Sequence, residues 1–153
     1  MGIPVTEHVR PVVLLMEQAR ELIEAAGVKA RIYTGTGRKG LEDDIATAVS
    51  EGMGQPVAVI CYGGSEFANS PRRVLVLSIV VVSAHTRVAP GVPDALEAAR
   101  AVTATLDEHQ TTATEADGWT VRDVWRVVAE DVLDLSDLDA AAAVQLTVTI
   151  EDR

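Results

Sequence analysis

The apolar positions of this chain change period along its length, and the changes mark its elements. Near the middle, Val74-Leu75-Val76-Leu77-Ser78-Ile79-Val80-Val81-Val82 shows no alternation. A strand of that composition needs cover on both faces, so the run predicts a long central strand over Arg72–His85. Ahead of it, Pro56–Tyr62 reads as a second strand, with Gly63–Pro71 as the connection. Strands that follow one another this closely favour antiparallel pairing. At the far end, Val144, Leu146, Val148 and Ile150 alternate with Gln145, Thr147, Thr149 and Glu151, which marks a strand with one wet face. Ala140–Ala143 leads into it.

Three segments carry the helical period instead. Val12, Val13, Met16, Ala19, Leu22, Ile23 and Ala26 fall mostly at steps of three and four, giving one stripe closed by Gly27. Thr6 is placed to cap this helix, and Pro11 fits if the helix starts near His8–Pro11. A short strand, Lys29–Thr34, and a loop, Gly35–Gly40, lead to a second helix, Leu41–Ser50, with Glu42, Asp43 and Asp44 in its first turn. After a polar loop, Thr86–Pro93, a third helix is expected at Pro93–Asp107 with Ala95, Leu96, Ala99, Val102 and Leu106 inward. Trp119–Leu135 fits neither period cleanly. Its β-branched and aromatic residues favour a strand, bent or bulged.

The expected order is α-β-α-β-β-α-β-β, a single α+β domain over residues 1–153. It implies a mostly antiparallel sheet of about four to five strands, flanked by two to three helices that cover one side. No internal repeat, linker or low-complexity tract interrupts it.

Charge sharpens this picture. The net charge of −10 is uneven: residues 1–106 hold 11 acids and 10 bases, whereas residues 107–153 hold 12 acids and 3 bases. An acidic last third argues against a nucleic-acid-gripping domain, which shows a basic stripe. It fits either a plain soluble surface or a face that repels phosphate or meets a basic partner. Two Trp, two Tyr and one Phe leave too few aromatics for a base-stacking platform. The one cysteine, Cys61, lies within an apolar strand, where a buried structural thiol is expected and an internal disulfide is excluded. No apolar run approaches the ~20 residues of a membrane span, and no signal-peptide pattern opens the sequence, so a soluble protein made in a cytoplasm is expected.

The strongest enzymatic motif is Gly35-x-Gly37-x-x-Gly40, between a strand and a helix. Against nucleotide binding stand a polar, short preceding strand, Tyr62-Gly63-Gly64 where an acidic residue belongs, and no Lys-Ser/Thr ending. A surface loop is the simpler reading, with Arg38 and Lys39 available to an acidic partner. His8, His85 and His109 are too far apart in sequence to share metal-ligand spacing. Gly63-Gly64-Ser65-Glu66 has no identifiable partner His and reads as a turn. Adjacent carboxylates, Asp43-Asp44 and Glu130-Asp131, point in different directions and read as solvated charge. Neither a catalytic centre, a cofactor nor a metal is expected. Trp119 and Trp125 suit either the core or a subunit contact.

Taken together, several features resemble one family. A helix precedes a strand ending in Tyr62-Gly63-Gly64-Ser65. Then come the valine-rich strand Val74–Ala84, the helix with Ala95–Leu106, a Gly118-Trp119 entry to a strand, and the alternating final strand. This layout is similar to that of the Mu-like prophage proteins assigned as tail terminators of contractile-tailed phages. The resemblance implies a virion protein of the tail and neck, assembled in the host cytoplasm. The same resemblance implies a hexameric ring of copies of the chain on the head-proximal end of the tail tube. Its partners are then the tube protein, with sheath and neck or head-completion proteins as further contacts, and DNA passes through the lumen without specific binding. A head–tail connector or completion protein of the same particle is the alternative, and a small nucleotide-binding protein using Gly35–Gly40 is a third. On the ring reading, Arg38, Lys39, Arg72, Arg73, Arg87, Trp119 and Trp125 are the expected interface residues.

Overall fold

The computed structural model describes residues 5–35, 38–52, 54–67, 73–83, 95–114, 120–133 and 142–152. They form helices α1 (Val5–Ala25), α2 (Arg38–Glu51) and α3 (Ala95–Leu106). The strands are β1 (Lys29–Ile32), β2 (Val57–Phe67), β3 (Arg73–Ser83), β4 (Gln110–Thr114), β5 (Thr120–Leu133) and β6 (Ala142–Asp152). All six strands join one sheet in the order β1-β2-β3-β6-β5-β4. Only β1 and β2 pair in parallel; every other neighbour is antiparallel. The α+β class and the mostly antiparallel sheet are those expected, with β4 added at one edge.

The run in β3 divides between two cores, as its lack of alternation requires. Leu75, Leu77, Ile79 and Val81 face α1 and α3, joined there by Ile60, Trp125, Leu146 and Val148. Val80 and Val82 face the other way, with Val57, Val59, Cys61 and Ala143, and are covered by Ile45 and Ala48 of α2. The helices therefore cover both faces of the sheet, not one. α2 reaches only part of the second face. Beyond it, Ser78, Gln145, Thr147 and Thr149 are only partly buried, and Gln145 Nε2 donates to Ser78 Oγ at 2.8 Å.

Several boundaries differ from the sequence expectation. α1 begins at Val5, so Pro11 lies inside the helix and not in its first turn. Its inward stripe takes Leu15 with Met16, Ala19 and Ile23, whereas Val13 points outward, about half-exposed. Gly27 ends the helix at φ +90°, a conformation that favours glycine. The supposed connection after Tyr62 is strand as far as Phe67. Register shifts between Tyr62 and Gly64, which places a bulge at Gly63. A side chain at Gly63 would bring its Cβ to 3.2 Å from the Val76 carbonyl oxygen, so the close approach of β2 to β3 favours glycine there.

Candidate functional site

The glycine motif sits where β1 runs into α2, and β1-α2-β2 does form a parallel βαβ unit. The chain thus supplies more of the nucleotide-binding context than its sequence suggests. Tyr33, however, lies against both described glycines of the motif. A Cβ on Gly35 would lie 2.8 Å from the Tyr33 hydroxyl oxygen, and one on Gly40 would lie 2.5 Å from it. The two glycines make room for a phenol where a phosphate-binding loop would leave backbone N–H groups facing open space. Thr36 and Gly37 lie outside the described residues.

Below that loop the structure gathers charge that the sequence does not announce. Arg31 on β1 reaches α2, donating from Nη2 to Asp44 Oδ1 at 2.8 Å and from Nη1 to Glu51 Oε2 at 2.9 Å. Asp44 is therefore no solvated partner of Asp43. Its side chain retains 18% exposure, against 69% for Glu51. Asp44 and Glu51 stand two turns apart on α2, and Arg31 meets both because parallel pairing sets α2 across β1. Asp44 Oδ2 and Arg31 Nε remain buried without a hydrogen-bond partner among the described residues.

Cys61 lies on the same face. Burial, with a smaller contribution from the negative charge of Asp44, pushes its thiol up from 9.0 to about 11. The raised value belongs to the folded state. The thiol's contribution to stability is therefore complete below about pH 9 and is lost as pH rises towards about 11. At neutral pH Cys61 is expected to resist a thiol reagent in the folded chain and to react fully once urea unfolds it. Labelling in the native state at a free-thiol rate would contradict this placement.

The expected interface residues scatter. Arg38 and Lys39 fall in the first turn of α2, and Lys39 is exposed. Arg73 opens β3 opposite Phe67. Arg72, Arg87 and Trp119 lie outside the described residues, as do the Thr86–Pro93 loop and His85. Trp125 is corrected outright: it is fully buried, on the helix-covered face of β5 opposite Ile150. The strand's alternation turns its largest apolar side chain inward. His109 meets it edge to face, with ring centroids 6.1 Å apart. Among the described residues, no group of three or more His, Cys, Asp or Glu is placed to hold a metal ion. No described helix is long and apolar enough to cross a membrane.

Apart from Val13 and Leu14 on α1 and Tyr62 on β2, the exposed large apolar side chains among the described residues lie on β5. β5 bulges at Val128, between the pairs Val127–Val148 and Ala129–Thr147. The bulge and α3 bound an open groove of about 410 Å³ lined by Arg100, Thr103, Ala104 and Val127 to Glu130. Val128 is 57% exposed and Val132, further along the strand, 80%. The adjacent Val127-Val128 pair, which breaks the alternation, is the sequence signal for this bulge. No protein-family model matches the chain, and no curated protein matches it.

Proposed function

We propose that this chain is a structural subunit of a contractile phage tail, one that closes the head-proximal end of the tail tube as a ring of identical copies. The observation that carries this reading is where the reactive and the adhesive groups sit. Arg31 pairs with both Asp44 and Glu51, Cys61 is a buried free thiol, and Trp125 sits in the core with His109 edge to face against it. The two most exposed large apolar side chains among the described residues, Val128 and Val132, lie on a bulged strand near one edge of the sheet, while Val13 and Leu14 on α1 and Tyr62 on β2 are exposed to a lesser extent. Large exposed apolar side chains beside unpaired strand edges suit contacts between proteins. The layout's resemblance to tail terminators supplies the kind of contact.

On this reading, one ring face pairs with the last ring of the tube and the other lacks a continuing interface, so growth stops. The acidic C-terminal third suits a channel wall, because like charge keeps DNA from adhering during passage. Tyr33 within the glycine loop weighs against the nucleotide-binding alternative.

Particle mass tests the proposal. Native mass spectrometry of the chain mixed with tube protein is expected to show a six-copy ring bound to tube rings. A chain that ignores tube protein and binds portal or adaptor protein instead would favour the connector role. A stable dimer blind to both would defeat the virion reading.

A further inference from the structure

We infer that the two edges of this sheet are complementary, so that β4 of one copy takes β1 of the next copy as an added strand. This deepens the ring reading above and rests on it.

The sheet order ends in β1 on one side and β4 on the other, and among the described residues neither pairs with a further strand. Following the pairings across the sheet, β1 and β2 run one way, β3 the other, β6 back again, β5 reversed, and β4 finally in the direction of β1. A second copy rotated about an axis close to the strand direction thus brings its β1 alongside β4 in parallel. The lengths match, at four residues for β1 and five for β4.

Free edges in soluble proteins are normally blunted by charge, proline or a bulge. β4 has none of these. Its sequence, Gln110-Thr111-Thr112-Ala113-Thr114, is uncharged and rich in the β-branched residues that favour strand pairing. Its pairing with β5 has no register shift. β1, although flanked by α1 and α2, keeps all four residues partly or fully exposed, as access to its outer edge requires.

Charge fixes the direction. Lys29, the first residue of β1, is exposed, and among the described residues it joins no ion pair. Asp107 and Glu108, just before β4, are exposed as well. Parallel pairing sets the two strand starts at the same end, so Lys29 of one copy meets these acids on the next. Pairing β4 with β4 of a second copy about a two-fold axis gives Lys29 no such role. Because the two edges are unlike, the contact repeats head to tail and closes into a ring when the rotation per copy allows it.

The test uses the full chain assembled on tube protein. Lys29→Glu and Glu108→Lys are each expected to lower the ring fraction by roughly threefold or more, the scale of an exposed ion pair repeated around a ring. The two changes combined should restore it. A Lys29→Cys/Gln110→Cys variant should yield a ladder of disulfide-linked multimers on oxidation, with buried Cys61 silent. Dimers from Gln110→Cys alone would indicate two-fold pairing and overturn the inference. Rings that form without the ladder and ignore the charge swap would overturn the edge pairing while leaving the ring reading intact. Absence of any ring on the tube would defeat both.

Discussion

Replacing Trp125 with alanine is expected to destabilise the chain by about 3–5 kcal/mol, the usual cost of removing a buried aromatic side chain. Trp125 is the largest fully buried side chain and has no solvent contact. It packs in the cluster that holds Leu106 of α3 and Ile150 of β6. Its loss therefore opens a cavity at the junction of helix and sheet and removes the edge-to-face contact with His109, itself worth about 0.5–1.5 kcal/mol. The backbone around it closes the α3–β4 turn: Glu108 donates to the Trp125 carbonyl, and the Trp125 N–H donates to the His109 carbonyl, both at 2.8 Å. Urea denaturation should show a lower midpoint with little change in slope, and Trp125→Phe should recover much of the loss. A shift below about 1 kcal/mol for the alanine variant would contradict the burial.

A still larger effect is expected from Ile79→Asp. Ile79 is fully buried at the centre of β3, directly opposite Ile60 on β2 and Leu146 on β6. All three residues belong to the core beneath α1 and α3, where an ionised carboxylate finds no partner. The penalty for such a buried charge exceeds the ~5–15 kcal/mol by which domains are usually stable, or shifts the group to its neutral form at several kcal/mol. The variant should lack near-ultraviolet circular dichroism at neutral pH. Val132→Asp is the matched control. Val132 is 80% exposed, so the same change there should alter stability by no more than about 0.5 kcal/mol. Equal losses at the two positions would mean that the assigned faces are wrong.

These two residues also show how the fold could be read from the chain and where the reading stops. β3 was legible because burial on both faces leaves no polar position to disguise it, and Val80 and Val82 do sit in a different core from Leu77 and Ile79. β6 was legible for the opposite reason: one wet face leaves a clean alternation from Val144 to Ile150. β5 was blurred because the bulge at Val128 shifts the period midway along the strand. β4 left little signal, since Gln-Thr-Thr-Ala-Thr has no apolar alternation to detect and is held by pairing to β5.

The chemistry was legible only where it is local. The setting of Cys61 followed from its apolar neighbours in sequence. The Arg31–Asp44–Glu51 cluster did not, because its members come from β1 and from the middle and the last turn of α2 and meet only through the parallel crossover. Trp125 illustrates the same limit from the other side. An aromatic in an aromatic-poor chain suits a core and an interface equally well, and only the strand's position relative to α3 decides between them.

On the proposed reading, this chain acts by shape and stops a growing polymer. Timed assembly of tube protein with and without the chain tests it most directly, with tube lengths measured by electron microscopy. Sub-stoichiometric chain is expected to halt elongation and to leave a ring of extra density at one tube end. Tubes that reach the same length at every ratio, with ends free of the chain, would contradict the account.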